Sequence, residues 1–147
     1  MGASPYWYFV NYEPDINLAL QKLRRREFEA GRYNPVIPML DFPLGPNPPS
    51  PGRQHESIED AIEDSGEEGT GSILDIQSIG EVPDFCVAGP LSAEELEAVY
   101  GTAKPSREMV EANMEFLDGL ERGMGVYIVV FAKGQPKEIL FAGYSVD

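Results

Sequence analysis

Seven acids crowd residues 56–68: Glu56, Glu59, Asp60, Glu63, Asp64, Glu67 and Glu68. On a helix, Glu59/Glu63 and Asp60/Asp64 are like-charge i,i+4 pairs, each costing roughly 0.2–0.5 kcal/mol. Glu63 and Asp64 also fall near the end of that helix, where the dipole disfavours anions. Carboxylates that oppose their own helix would be relieved by a cation or a basic partner; the plain alternative is a solvated, frayed face. A calcium loop is the sharpest version of the cation idea. Counting from Asp64 as position 1 puts Gly69 at the required glycine, position 6, and Asp75 at position 12. Gly66 at position 3 brings no ligand, however, and a strand-like run follows where a helix should start. An EF-hand is rejected, and no metal or cofactor ligand set is assigned.

Nucleophilic chemistry has few residues to draw on. Cys86 is the single cysteine and His55 the single histidine. A cysteine nucleophile needs a base, and only the fold could bring His55 to it. A free Cys in an apolar stretch is ordinarily a small buried hydrophobe. No G-x-S-x-G elbow, G-x-G-x-x-G turn or P-loop occurs. Paired carboxylates carry little information among twenty-five acids. Tyr12, Arg32, Tyr33 and His55 flank the most irregular part of the chain and are the candidate pocket residues. Aromatic and Arg side chains are enriched in binding hot spots, but they are equally ordinary core and sheet residues.

Charge is strongly segregated. Residues 54–103 hold thirteen acids and no Lys or Arg, whereas residues 1–53 carry six basic against five acidic side chains. The net charge is −14. Such a field repels nucleic acid and anionic membranes and attracts a basic protein. The basic cluster from Lys22 to Arg26 reads as a solvated helix end, one that could pair with the acidic block. One cysteine excludes an internal disulfide framework. No apolar run approaches the ~20 residues of a bilayer span, and no signal peptide is visible. Met1-Gly2 starts like a myristoylation site, but Tyr6 stands where that motif wants Ser or Thr. The expected setting is reducing and cytoplasmic.

These residues must be positioned by recognisable elements. Residues 6–12 (YWYFVNY) read as a strand, with Tyr6, Tyr8, Val10 and Tyr12 on one face. Pro14 and Asp15 suit the first turn of a helix carrying Ile16, Ala19, Leu20 and Leu23, with Gly31 as its stop. Residues 34–55 form a Pro-rich extended arm, expected to be pinned to the body by Val36, Ile37, Met39, Leu40, Phe42 and Leu44. Ser57 opens a short helix that buries Ile58, Ala61 and Ile62 and ends at Gly66. Residues 72–79 (SILDIQSI) read as a strand, and residues 85–88 as another short one. Ser92 and Glu95 form a capping box, and Leu91 and Leu96 a hydrophobic staple. Pro105 and Ser106 open a helix running to Gly123, with Met109, Val110, Asn113, Leu117 and Leu120 on one side. Residues 126–131 (VYIVVF) read as a central strand leading through Lys133-Gly134 into a C-terminal hairpin.

The expectation is a single α+β domain over residues 1–147. It has a mainly antiparallel sheet of about four or five strands, with helices packed on one face. Three stretches (residues 5–36, SILDIQSI and EILFAGYS) resemble a family of small bacterial proteins with no attached activity. That resemblance implies a bacterial, cytoplasmic setting and no site. Two functions are carried forward. One is a non-catalytic binding or inhibitory, immunity-like module that engages a basic protein through Glu59, Asp60, Glu63, Asp64, Glu67 and Glu68. The other is an enzyme with a carboxylate-containing pocket near the arm, which would need Arg32, Tyr33 or His55 in one concavity.

Overall fold

The computed structural model describes residues 3–147; Met1 and Gly2, on which the myristoylation reading rests, lie outside them. The chain is a single α+β domain built on a five-stranded sheet. In chain order the elements are β1 (Pro5–Asn11), α1 (Ile16–Ala30), α2 (Ile58–Ser65), β2 (Ser78–Ile79), β3 (Val87–Pro90), α3 (Ala93–Tyr100), α4 (Arg107–Ala112), β4 (Gly125–Ala132) and β5 (Gln135–Tyr144). The spatial order is β1-β5-β4-β3-β2. β1, β5 and β4 pair antiparallel, whereas β2, β3 and β4 pair parallel over short registers. The sheet is therefore mostly antiparallel, with one parallel side. The β3–β4 parallel pair exists because α3 and α4 carry the chain back between those strands, as a parallel crossover requires.

Alternation along the strands feeds two cores. Tyr6, Ile139 and Phe141 pack with Leu20, Leu23 and Phe28 of α1 and Ile58 and Ala61 of α2. Val126, Ile128, Val130, Leu140 and Ala142 face the other way, against Leu96 of α3, Val110 of α4, and Phe116 and Leu117. Helices thus cover both faces, not one. The apolar run of β4 demanded this, since a strand with apolar residues on both sides needs cover on both sides. Lys133 and Gly134, with φ of 52° and 76°, make the two-residue turn of the β4–β5 hairpin.

Helix ends follow their side chains. Asp15 is the N-cap of α1, accepting from the Leu18 N–H at 3.0 Å. The helix therefore starts at Ile16, two residues after Pro14, and Asp15 caps it rather than lying in its first turn. Gly31 closes it at φ 73°. Ser57 caps α2, accepting from Asp60 N–H at 3.1 Å. Ser92 and Glu95 make both bonds of the capping box on α3, and Leu96 is buried in the second core, with Leu91 packed against that core.

Two expected elements are broken by local side-chain bonds, which compete with regular structure. Residues 72–79 are not one strand. Ser72 Oγ accepts from Leu74 N–H, and a 3₁₀ turn at Ile73–Asp75 leaves only Ser78–Ile79 in the sheet. The helix expected to run to Gly123 stops at Ala112. Asn113 is extended, its side chain accepts from Glu115 N–H at 2.9 Å, and a 3₁₀ turn, Glu115–Gly119, follows. Met109 is accordingly exposed, and Phe116 takes a buried place instead.

Candidate functional site

Residues 34–55 carry one 3₁₀ turn, Met39–Asp41, and otherwise irregular backbone. Ile37 is buried, but Leu40 is 89% exposed, so the apolar residues do not all hold this segment down. Main-chain bonds secure its ends. Asn34 N–H donates to Thr70 O, and Gly52 and Arg53 N–H donate to Ala30 and Glu29 O.

Tyr33, His55 and Asp64 are brought together where the segment meets α2. His55 Nε2 lies 2.9 Å from Asp64 Oδ2, and a carboxylate only accepts, so Nε2 carries hydrogen. On the other side of the ring Nδ1 lies 2.7 Å from the Tyr33 hydroxyl, within hydrogen-bond distance. Gln54 N–H donates to the same hydroxyl at 3.3 Å. Tyr33 is fully buried and stacks on Phe28 at 5.7 Å between ring centroids. Burial pushes the Tyr33 phenol up. Through His55 and Asp64 the Tyr33 hydroxyl joins the segment to α2. Tyr12 is elsewhere, donating its N–H to Lys137 O.

Arg32 belongs to a different constellation. Its Nε and Nη2 donate to Glu27 Oε1 and Oε2 at 2.9 and 2.8 Å, a bidentate fork. That hydrogen bonding to Glu27 pushes the Arg32 pKa up. Arg26 Nε shares Glu27 Oε2 at 2.9 Å. Glu27 is 3% exposed, a buried acid on a helix face that periodicity alone assigns only apolar residues. Its signal was the Arg-rich run around it. These side chains border a cavity of about 970 Å³, between β1 residues 5–9 and residues 42–48. Glu111 and Arg107 complete its charged lining, while Tyr12, Tyr33 and His55 lie outside it. Of the four candidate pocket residues only Arg32 lines this cavity, and neither β1 nor the buried acid Glu27, which do line it, stood among them.

The acidic run lies elsewhere again. All six candidate residues, Glu59, Asp60, Glu63, Asp64, Glu67 and Glu68, are exposed on α2 and the 3₁₀ turn after it. Asp64 is engaged by His55. Among the described residues, no Lys or Arg comes within 4 Å of any of the thirteen acids in residues 54–103. The Lys22–Arg26 cluster does not pair with that block. Lys22 meets Glu13, Arg25 meets Glu29 and Arg26 meets Glu27, while Arg24 turns inward to donate to Leu74 O at 3.0 Å.

No hydrogen bond joins Cys86 to His55 among the described residues, and burial pushes the Cys86 thiol up, away from thiolate. Among the described residues no group of three His, Cys, Asp or Glu side chains is placed to hold a metal ion, and no helix is long and apolar enough to cross a membrane. No protein-family model matches this chain, and no curated protein or solved structure matches it either. The class defined by the fold is thus a single-domain α+β protein with a mixed five-stranded sheet covered on both faces.

Proposed function

We propose that the protein is a non-catalytic binding module, of the inhibitory or immunity kind, that engages a basic protein partner through the acidic ridge of α2. The observation that carries this reading is the isolation of the acids. Every arginine or lysine ion pair among the described residues goes to an acid outside residues 54–103. Glu59, Asp60, Glu63, Glu67 and Glu68 face solvent with no counter-charge within 4 Å. A complementary surface would supply that charge and steer association. A bacterial, cytoplasmic setting belongs with this reading, and so does the lack of nucleic-acid partners.

The enzyme alternative draws on the cavity beside residues 42–48. Its two carboxylates, Glu27 and Glu111, are both held by arginine. Such paired acids suit binding better than proton transfer.

The test is capture from the native host at low salt, with wild type beside a variant in which those five acids become Gln or Asn. A specific basic partner retained by wild type, lost from the variant and released steeply by salt is expected. Equal capture by both proteins, or no specific partner on either, would overturn the reading.

A further inference from the structure

β1 ends the sheet, and one of its sides is unpaired. Tyr12 N–H donates to Lys137 O, and Ser145 N–H donates to Ser4 O. In an antiparallel pair the bonded residues alternate, so the even-numbered residues of β1 face β5. Trp7, Phe9 and Asn11 turn their N–H and C=O groups outward. None of these has a hydrogen-bond partner among the described residues. Edge strands are ordinarily blunted by Lys, a bulge, an internal Pro or a covering segment. β1 has no Lys, bulge or internal Pro within its span, its Pro standing at the first position, and residues 42–48 face it across the cavity without a main-chain bond to it among the described residues.

The open edge lies in a groove. The 970 Å³ cavity follows residues 5–9. A second hollow of about 530 Å³ continues past Phe9 to Asn11, bounded by Glu13, Lys22 and Arg26. Together they track seven residues of strand, about 20 Å at 3.3 Å per residue. Most charges along the groove are paired, Lys22 with Glu13 and Arg107 with Glu111 and Glu138, but the α1 side keeps an excess of positive charge. Arg26 and Arg32 share the single carboxylate of Glu27, so their cluster holds one surplus positive charge. Arg26 uses only its Nε, leaving its terminal nitrogens free, and its side chain is 51% exposed. On the other side of the strand, Arg107 lies 4.0 Å over the Phe9 ring, and Trp7 is 47% exposed.

We propose that this groove takes an extended segment of a partner protein as a sixth strand, one alternating acidic and apolar residues. The main chain would bond to Trp7, Phe9 and Asn11. An Asp or Glu side chain on the α1 face would meet Arg26, and the apolar residues on the opposite face would cover Trp7 and Phe9. A second copy of this chain fits less well. β1 carries no Asp or Glu, so pairing it with its own mate would bring no acid to the surplus charge that Arg26 and Arg32 keep beyond Glu27. The site is separate from the acidic ridge and does not depend on it.

The probe is a blocked hexapeptide of alternating Glu and Val, acetylated and amidated so that no terminal carboxylate is present. Titrated into ¹⁵N-labelled protein, it should shift the amides of Trp7, Phe9 and Asn11 and slow their hydrogen exchange. Arg26→Gln should weaken it about tenfold, the loss of one charge-assisted hydrogen bond. Trp7→Pro, which removes an outward N–H and no β5 bond, should abolish binding, whereas Trp7→Ala should only weaken it. Neutralising the five ridge acids should leave binding intact. No shifts at millimolar peptide, equal binding of a Lys–Val hexapeptide, or shifts away from β1 would overturn the proposal. So would protection of the same amides without peptide, accompanied by dimer mass in sedimentation, which would make the occupant a second copy.

Discussion

Asp75 is the one acid of residues 54–103 that the fold takes out of water, at 4% exposure. Burial raises its pKa above 3.8, while hydrogen bonds from Thr70 N–H, Thr70 Oγ1 and Gly71 N–H, and the charge of Arg24, pull the other way. The folded state therefore keeps this proton to higher pH than the unfolded chain does. Between the ordinary value and the raised one the native state binds more protons, so this group's contribution to stability falls as pH rises. The cost of charging it is fully present above the raised value. Asp75→Asn keeps an acceptor for Thr70, whose N–H and hydroxyl reach Oδ1 at 3.0 and 2.9 Å, and cannot ionise. Melting temperatures of both proteins, measured from about pH 3.5 to 7, should shift in the variant's favour as pH rises. A shift towards wild type would show that the hydrogen bonds outweigh burial at this site.

Gly31 joins two elements in one residue. It ends α1 in the left-handed region at φ 73°, and a Cβ there would lie 2.2 Å from Gly52 O, on backbone that cannot swing aside. Gly52 N–H is meanwhile bonded to Ala30 O at 2.9 Å. Gly31→Ala should cost about 3 kcal/mol, from left-handed strain plus overpacking, measured by urea unfolding. A loss under about 1 kcal/mol would mean that residues 51–53 are not held against the helix end as described. The Gly31 stop was plain in the sequence, as was the Ser92–Glu95 capping box, because caps are local chemistry. The first strand and the C-terminal hairpin were also legible, from their aromatic and β-branched composition and the Lys133-Gly134 turn. What stayed hidden depended on distant contacts. Asn113 looks like a helical position until its side chain bonds to Glu115 N–H, and residues 72–79 look like a strand until Ser72 and Asp75 fold them into a turn. The second helical layer and the parallel pairing of β3 with β4 follow from the return path through α3 and α4, which periodicity does not record. At the site, the acidic ridge could be read directly. The Tyr33–His55–Asp64 clasp joins residues that the sequence assigned to two separate proposals, and Glu27 was hidden because a buried acid breaks the apolar pattern.

Charge acts at the scale of the whole molecule. A net charge of −14 with thirteen acids in residues 54–103 makes the folded protein repel itself. The acids of α2 add like-charge pairs, Glu59 with Glu63 and Asp60 with Asp64, and Glu63 lies at the negative end of the helix. Together these cost about 1 kcal/mol at low salt. Raising ionic strength from ~0.01 to ~0.5 M shortens the screening length from about 30 Å to well under 10 Å. The melting temperature should therefore climb by about 3 °C over that range. Changing Glu59, Asp60, Glu63, Glu67 and Glu68 to neutral amides takes the net charge from −14 to −9. That variant should melt higher than wild type at low salt and respond less to added salt. The same substitutions are those expected to lose the basic partner. A structural role for these acids would make both properties fall together, whereas a role in recognition makes stability rise as binding disappears. A variant that melts lower than wild type at low salt would place the ridge among the supports of the fold and remove the reason for seeking a partner there.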